Sequence, residues 1–319
     1  MLATPFKFLD SYTRDDREIF FGREQEIEEL YRKVFESKIL LVYGISGTGK
    51  SSLIDCGLAN KFQETDWLPV YVRRGKNLLE SLAAALEQVA LSTLNIEHGT
   101  LKHFNKAVRS VYLDHYKPIF FIFDQFEELF IFGNAEERKA LAQVMKSLVE
   151  SDLQCRFIIS LREEYLAGIT EFEKVIPTFY SNRVRIEKMS LLNAMQAIEG
   201  PCRVQHIQLE EGFANALLER LSPESTEVEL TFLQVALDRL YRAASERKES
   251  TLAFNRELLG KVGQVSDLLG NFLDEQIATL ENPDTALAVL KSFVSVKGTK
   301  RQMTMGECAG IYTDPGQAH

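Results

Sequence analysis

The feature that most constrains this chain is a glycine-rich octapeptide placed directly after an apolar run. Residues 39–43 (Ile-Leu-Leu-Val-Tyr) are continuously apolar, and Gly44-Ile-Ser-Gly-Thr-Gly-Lys-Ser51 follows them. The octapeptide matches G-x-x-x-x-G-K-[ST], and a helical pattern with Leu53, Ile54 and Leu58 comes next. Strand, loop and helix in this order predict a P-loop, whose backbone N–H groups surround the β-phosphate of a nucleoside triphosphate.

The P-loop pattern also predicts which side chains contact the nucleotide. We expect Lys50 to contact β- and γ-phosphate oxygens and the hydroxyl of Ser51 to coordinate Mg²⁺. The guanine-reading pattern N-K-x-D is missing, because residues 60–63 end in Gln and residues 105–108 end in Val, so ATP is the predicted nucleotide. The predicted binding residues of the loop are Gly44, Ser46, Gly47, Thr48, Gly49, Lys50, Ser51 and Ser52.

A second apolar run, residues 118–123, ends in Asp124. P-loop enzymes hold their magnesium ion with a carboxylate at the end of a neighbouring strand, and Asp124 is the predicted ligand beside Ser51. Many ATPases carry a catalytic Glu directly after this Asp, but this chain has Gln125 there. Glu127 and Glu128 therefore compete for the role of orienting or deprotonating the attacking water, and two solvated glutamates at a helix start are the alternative.

Arg162 follows the next strand pattern, which begins at Cys155. An arginine at the carboxyl end of this strand would face the γ-phosphate and distinguish triphosphate from diphosphate. Its alternative is a surface salt bridge with Glu163 or Glu164.

Strand and helix patterns alternate through the first part of the chain. Residues 68–72, 119–123 and 157–161 have the composition of buried strands, with helical patterns between them, which predicts an α/β fold with a parallel sheet covered on both faces. From residue 186 the apolar residues recur with helical period, including a stripe with Val265, Leu268, Leu269 and Phe272. We predict a P-loop ATPase domain at 1–185, an all-helical lid at 186–282 and a partial C-terminal segment at 283–319.

Composition excludes several function classes. The net charge of −9 argues against nucleic acid as a partner, and we expect the small basic cluster of Arg73, Arg74 and Lys76 to be a solvated loop. The four cysteines are widely spaced and form no zinc pattern with the five histidines. No signal peptide or window of about 20 apolar residues is evident, so we expect a cytoplasmic protein without a membrane partner.

Four sequence patterns together resemble the novel STAND branch of regulatory P-loop ATPases. They are Phe20-Phe-Gly-Arg-Glu24, the P-loop, Asp124-Gln-Phe-Glu-Glu-Leu-Phe130 and Ser160-Leu-Arg162. Gly200-Pro201 and residues 230–241 are similar to the helical lid of that branch.

The resemblance implies a nucleotide-operated switch. In such proteins ADP holds a closed monomer, and exchange for ATP permits assembly into a homo-oligomer that acts on signalling or effector domains, often in antiphage defence. It implies that Phe21, Gly22 and Arg23 lie near the adenine and ribose. It also implies a winged-helix domain after the lid, which this chain only begins. Thr231 stands where the lid motif often has proline.

Two other functions share these motifs. An AAA-like motor or DNA-loading ATPase has a similar P-loop and lid but requires a hexamer or stimulation by DNA. A non-catalytic, nucleotide-stabilised interaction module needs no chemistry from Glu127 or Glu128. We expect slow ATP hydrolysis, which separates the switch from both.

Overall fold

The computed structural model describes residues 4–94, 96, 101–223, 226–247, 251–261, 270, 273–274, 277–294, 301 and 303–313. The chain divides into two compact units, Met1–Leu258 and Leu259–His319. The domain boundary that the sequence predicts near residue 185 lies inside the first unit and stays a prediction.

A five-stranded parallel sheet forms the centre of the first unit, in the order β2-β3-β4-β1-β5. The parallel α/β sheet is therefore confirmed, and so are its first four strands. β5 was not predicted, because it is three residues long and alternates arginine with valine. The strands are β1 (Ile39–Gly44), β2 (Leu68–Val72), β3 (Ile119–Phe123), β4 (Cys155–Arg162) and β5 (Arg183–Arg185).

Alternate residues of each central strand point to opposite faces of the sheet, and both faces are buried. Leu41, Phe121 and Ile159 belong to one apolar core, whereas Leu40 and Ile122 belong to the other. Strands buried on both faces require apolar residues throughout, which explains the uninterrupted apolar runs. Helices supply residues to each core and complete three layers.

The helices of these layers lie before, between and after the strands along the chain. A 3-10 turn (Arg14–Ile19) is capped by Thr13, whose backbone N–H and hydroxyl both donate hydrogen bonds to the carboxylate of Asp16. The helices are α1 (Glu24–Lys33), α2 (Lys50–Ser52), α3 (Leu78–Val89), α4 (Leu101–His115), α5 (Glu128–Phe132), α6 (Ala135–Val149) and α7 (Thr170–Glu173). α2 continues as a π-helical segment (Leu53–Leu58) and a 3-10 turn (Ala59–Lys61).

After β5 the chain becomes mainly helical, as its periodicity predicts. The helices are α8 (Leu191–Val204), α9 (Phe213–Leu221), α10 (Leu230–Glu246) and α11 (Arg256–Lys261). Four two-residue strands were not predicted: β6 (Met189–Ser190), β7 (Gln208–Leu209), β8 (Glu227–Val228) and β9 (Ala253–Phe254). β6 pairs with β8 across α8 and α9, and β7 pairs with β9 across α9 and α10.

The second unit contains α12 (Pro283–Ser292) and α13 (Met305–Thr313). The predicted stripe of Val265, Leu268, Leu269 and Phe272 lies outside the described residues. Among the residues that the structure describes, no helix has both the length and the apolar character needed to cross a membrane.

Candidate functional site

A cavity of about 260 Å³ lies where β1, β3 and β4 end, and the predicted phosphate-binding residues form one side of it. Loops at the carboxyl ends of parallel strands are the usual position for ligands in such sheets. Six residues of the P-loop region line the cavity: Ser46, Gly47, Gly49, Lys50, Ser51 and Ser52. Asp124, Glu127 and Arg162 line it as well.

The P-loop itself folds around the ammonium group of Lys50. Gly49 has a φ of 84°, a left-handed conformation that glycine adopts without strain, and it directly precedes α2. Lys50 Nζ donates hydrogen bonds of 2.9 Å to the carbonyls of Gly44 and Ile45. Burial lowers the pKa of Lys50, and the negative charge of Glu127 is the largest influence that raises it. The buried Thr48 is held by a bond from its hydroxyl to the Ile45 carbonyl.

Ser51 and Asp124 meet at the bottom of this loop. The Ser51 hydroxyl lies 3.0 Å from Asp124 Oδ1, although 73 residues separate the two in sequence. A hydroxyl and a carboxylate are the hard oxygen ligands that Mg²⁺ prefers, and one ion can bridge groups at this separation. Ser51 and Asp124 therefore fit the predicted magnesium site.

Glu127 is buried against Arg162. Its Oε1 lies 3.1 Å from Arg162 Nε, and its Oε2 accepts a hydrogen bond of 3.2 Å from the backbone N–H of Arg162. The Glu127 side chain is 6% exposed, whereas the Arg162 side chain is 48% exposed. The proposed alternative, a bridge from Arg162 to Glu163 or Glu164, is not what the side chains form, since Glu163 pairs with Arg185.

Gln125 lines the same cavity, whereas Glu128 does not. Gln125 lines the cavity and has a φ of 58°, which is uncommon for a residue with a Cβ. Glu128 begins α5 and is half-buried, but it is not one of the described residues that line the cavity. The turn thus directs Glu127, and not Glu128, toward the phosphate side.

Phe21 and Gly22 both pack against helix α8. The ring of Phe21 lines the cavity and packs so closely on Gly200 that a Cβ there would lie 2.4 Å from it. Gly22 has a φ of 82°, and a Cβ on it would lie 2.3 Å from the carbonyl oxygen of Asn193. Both contacts join the segment before α1 to helix α8. The approach of Asn193 and the positive φ explain the glycine of the Phe-Phe-Gly-Arg-Glu pattern, and the approach of Phe21 explains Gly200.

Arg23 also lines the cavity, but its guanidinium is 3% exposed. Its Nη2 donates to the backbone carbonyls of Thr48 and Glu187, at 3.0 and 3.2 Å, and its Nη1 pairs with Glu26. The residue connects the P-loop to the chain just before the helical region.

The opposite side of the cavity is formed by residues 4–12, which no motif identified. Phe8, Leu9, Asp10, Ser11 and Tyr12 all line it. The backbone N–H of Tyr12 donates to Ser52 Oγ at 3.1 Å, and its phenol donates to Gln234 Oε1 at 3.0 Å. Burial raises the pKa of Tyr12 to about 12, so its phenol stays protonated and able to donate.

Helix α10 begins on top of the P-loop. Leu230, Thr231 and Gln234 of this helix line the cavity. A Cβ at Gly47 would lie 3.0 Å from the hydroxyl of Thr231, and one at Gly49 would lie 3.3 Å from the Leu230 side chain. The glycines of the P-loop thus permit the close approach of the helical region as well as of a phosphate.

A model of a known protein family matches almost the whole chain. The profile of the family described as novel STAND NTPase 1 matches residues 5–314. The chain belongs to this family. The resemblance inferred from the four sequence motifs is therefore confirmed. A search of curated protein sequences finds no match.

Solved structures share the fold of this STAND NTPase at low sequence identity. The ORC2 protein of Aeropyrum pernix, described as ADPNP-ADP complexes, has a TM-score of 0.60 and 15% identity over 92% of this chain and 80% of its own. A Walker-type ATPase of Pyrococcus abyssi, paby2304, has a TM-score of 0.55 and 14% identity over 99% and 93%. The ORC1 protein of A. pernix in complex with DNA has a TM-score of 0.58 and 15% identity over 93% and 78%. These likenesses confirm the P-loop NTPase fold.

The basic cluster after β2 is a solvated loop only in part. Arg73 and Lys76 are exposed, as expected, but Arg73 also pairs with Asp124. Arg74 is withdrawn from solvent in a bidentate pair with Glu137 of α6. The sequence did not predict these two pairs, because the carboxylates are 51 and 63 residues from their partners.

Asp55 adds a further carboxyl group near Asp124, the predicted magnesium ligand. It lies on the π-helical segment one turn after Ser51. Burial, followed by the charge of Asp124, raises its pKa to about 7, while a hydrogen bond with Tyr71 lowers it. π-Helical turns often occur at functional sites, because the wider turn displaces side chains from their helical positions. Among the described residues, no group of three or more His, Cys, Asp or Glu side chains forms a separate metal site.

Proposed function

We propose that this STAND NTPase binds ATP with Mg²⁺, hydrolyses it slowly and acts as a nucleotide-controlled switch. The carrying observation is that Glu127 and Arg162 pair with each other in the same cavity as Lys50. In this proposal Glu127 is the catalytic carboxylate and Arg162 the phosphate-sensing arginine, and both line the cavity that Lys50 lines.

Ser51 and Asp124 are the residues that would hold Mg²⁺. Bound there, Mg²⁺ would neutralise charge on the phosphate oxygens and so favour displacement of the leaving group. Lys50 and the backbone N–H groups of residues 46–51 would bind the β- and γ-phosphates. Lys50 reaches loop carbonyls through hydrogen bonds of 2.9 Å, and phosphate oxygens can take over those bonds without a change of backbone.

Arg162 controls the availability of Glu127 in this mechanism. A γ-phosphate oxygen competes with the Glu127 carboxylate for the guanidinium of Arg162, and ADP offers no such oxygen. Once released, Glu127 would accept a proton from the attacking water. Because breaking the pair precedes the chemistry, we expect turnover well below about one per second.

The same cavity contacts the elements that would report the nucleotide state. Leu230 and Thr231 of α10 lie against the P-loop, and Gln234 joins α10 to residues 4–12. We infer that ADP retains this closed arrangement and that ATP loosens it. We propose that the ATP state assembles as a homo-oligomer and acts on signalling or effector domains, with antiphage defence as a biological setting.

Paired substitutions at the two glutamates test the catalytic part. Glu127→Gln keeps the shape but removes the base, and we expect hydrolysis to fall by roughly 100-fold or more with ATP affinity retained. Glu128→Gln is the matched control, and its rate should stay within about threefold of the wild type. Single-turnover hydrolysis of radiolabelled ATP measures both. If neither variant is slower, Glu127 is not the base.

DNA loading is the second candidate function, and the likeness to an ORC1 protein solved with DNA is the observation that favours it. The net charge of −9 opposes it, because duplex binding requires basic residues that neutralise phosphates and release the counterions condensed on DNA. Fluorescence anisotropy with duplex DNA at two salt concentrations distinguishes the candidates. Tight binding that weakens steeply with salt would favour DNA loading, and the switch predicts no such binding.

A further inference from the structure

Arg73 contacts the magnesium site from outside every motif that defines it. It follows β2, which is an edge strand of the sheet, and its Nη2 lies 2.5 Å from Asp124 Oδ2. The Arg73 side chain is 63% exposed, whereas that of Asp124 is 10% exposed. A solvent-facing arginine is thus joined to the buried carboxylate on which Mg²⁺ binding depends.

The two oxygens of Asp124 have different partners. Oδ1 accepts the hydrogen bond of Ser51, and Oδ2 pairs with Arg73. A carboxylate held at one oxygen can still rotate about its terminal bond, since that torsion is broad. With both oxygens held, only Oδ1 is presented toward Ser51. Mg²⁺ can therefore approach Oδ1 and Ser51 without displacing Arg73.

Arg73 is also placed among negative charges. Asp124, Asp55 and Glu128 all raise the pKa of Arg73, and the hydrogen bond to Asp124 is the largest cause. The adjacent Arg74 supplies no alternative, because its guanidinium is committed to Glu137. Tyr71 takes a hydrogen bond with Asp55, which leaves Asp124 as the principal partner of Arg73.

We propose that Arg73 is a positioning residue that fixes Asp124 so that Oδ1 faces the magnesium ion. The inference rests on the proposed binding of Mg²⁺ and nucleotide. Partners that orient a metal ligand typically contribute a factor of about 10–100 in metal affinity. Simple electrostatics predicts instead that removing Arg73 increases the affinity for Mg²⁺, because loss of a nearby positive charge strengthens the attraction of a cation. The direction of the change therefore distinguishes positioning from competition.

The test titrates Mg²⁺ into the full chain with a fluorescent N-methylanthraniloyl ADP as the probe. Arg73→Ala should raise the Mg²⁺ concentration at half-saturation by about tenfold, while probe affinity in EDTA stays within about twofold of the wild type. Arg73→Lys keeps the charge but not the planar guanidinium, and its value should lie between those two proteins. Arg32→Ala removes an exposed arginine of α1, which pairs with Glu36 just after the helix, and it should match the wild type.

Each result has a separate meaning. An unchanged or lower half-saturation in Arg73→Ala, with normal probe binding in EDTA, overturns the positioning role. If the wild type binds the probe neither with Mg²⁺ nor in EDTA, the proposed function is refuted instead. Direct Mn²⁺ binding by electron paramagnetic resonance gives a second readout. The wild type should bind Mn²⁺ most tightly, Arg73→Lys less tightly and Arg73→Ala least tightly. Binding of the probe in EDTA also shows that each variant is folded.

Discussion

The two sides of the nucleotide cavity are built on different principles. The phosphate side joins the ends of β1, β3 and β4 through charged and polar contacts, such as Ser51 with Asp124 and Glu127 with Arg162. The opposite side joins residues 4–12 to α10 by packing and neutral hydrogen bonds, with Phe6 fully buried against Tyr241 and Phe254. Chemistry is thus concentrated on one side, and on the other the N-terminal segment and the helical region are held together.

The largest effect on nucleotide binding should follow from removing the phosphate-side cation. Lys50→Ala deletes charge-assisted bonds to phosphate oxygens, and we expect the affinity for ATP to fall by at least ~100-fold, or about 2.7 kcal/mol. Isothermal titration calorimetry measures the loss. Lys139→Ala, an exposed lysine on α6, is the control and should bind normally. Retained affinity in Lys50→Ala would contradict the phosphate site itself.

On the opposite side, a large-to-small substitution should reduce stability. Phe6 is 0% exposed, so Phe6→Ala removes a complete aromatic contact and should lower the free energy of unfolding by about 3 kcal/mol. Leu9→Ala is the matched control, since Leu9 is 55% exposed, and it should change stability by less than about 0.5 kcal/mol. Urea denaturation followed by circular dichroism compares them. Equal stability of the two variants would remove the contrast between the sides.

A smaller effect should appear at Asp55 as a dependence on pH. The folded state holds the Asp55 proton more tightly than the unfolded chain does, because the folded pKa is about 7. Stability from this group is complete below the unfolded pKa of about 3.9 and is lost as pH rises through 7. The amide of Asp55→Asn cannot ionise. The free energy of unfolding of this variant, relative to that of the wild type, should therefore be about 2 kcal/mol higher at pH 8 than at pH 5.

The measurement is urea denaturation without nucleotide and in EDTA. Asp15→Asn is the control, because Asp15 is exposed on the 3-10 turn, and only the difference between the two variants is assigned to the environment of Asp55. If the effect of Asp55→Asn does not change with pH, solvent stabilises the ionised Asp55 carboxylate in the folded state as well as in the unfolded chain.

The same contrast explains how much the sequence could predict. β1, β3 and β4 are buried on both faces, and their uninterrupted apolar runs identify them. The P-loop and Asp124 were predictable because backbone geometry fixes their relation to those strands. β5 has a single buried residue, Val184, which is too little for a periodicity signal.

Contacts between distant residues were beyond such reasoning. The sequence left Glu127 and Glu128 as equal candidates, because the choice depends on a turn in which Gln125 has a positive φ. Arg73 was interpreted as a solvated residue, since its partner is on another strand. Gln234 matched no chemical motif, although its side-chain oxygen accepts bonds from both Lys7 and Tyr12.

Arg23 has a consequence for sequence variation within the family. Its guanidinium recognises the backbone carbonyls of Thr48 and Glu187 and no side chain of either residue. Every amino acid offers the same backbone carbonyl, so this connection does not depend on which side chains stand at positions 48 and 187. The requirement falls on the arginine alone. Relatives should therefore retain an arginine after the Phe-Phe-Gly segment even where the residues that it contacts have diverged.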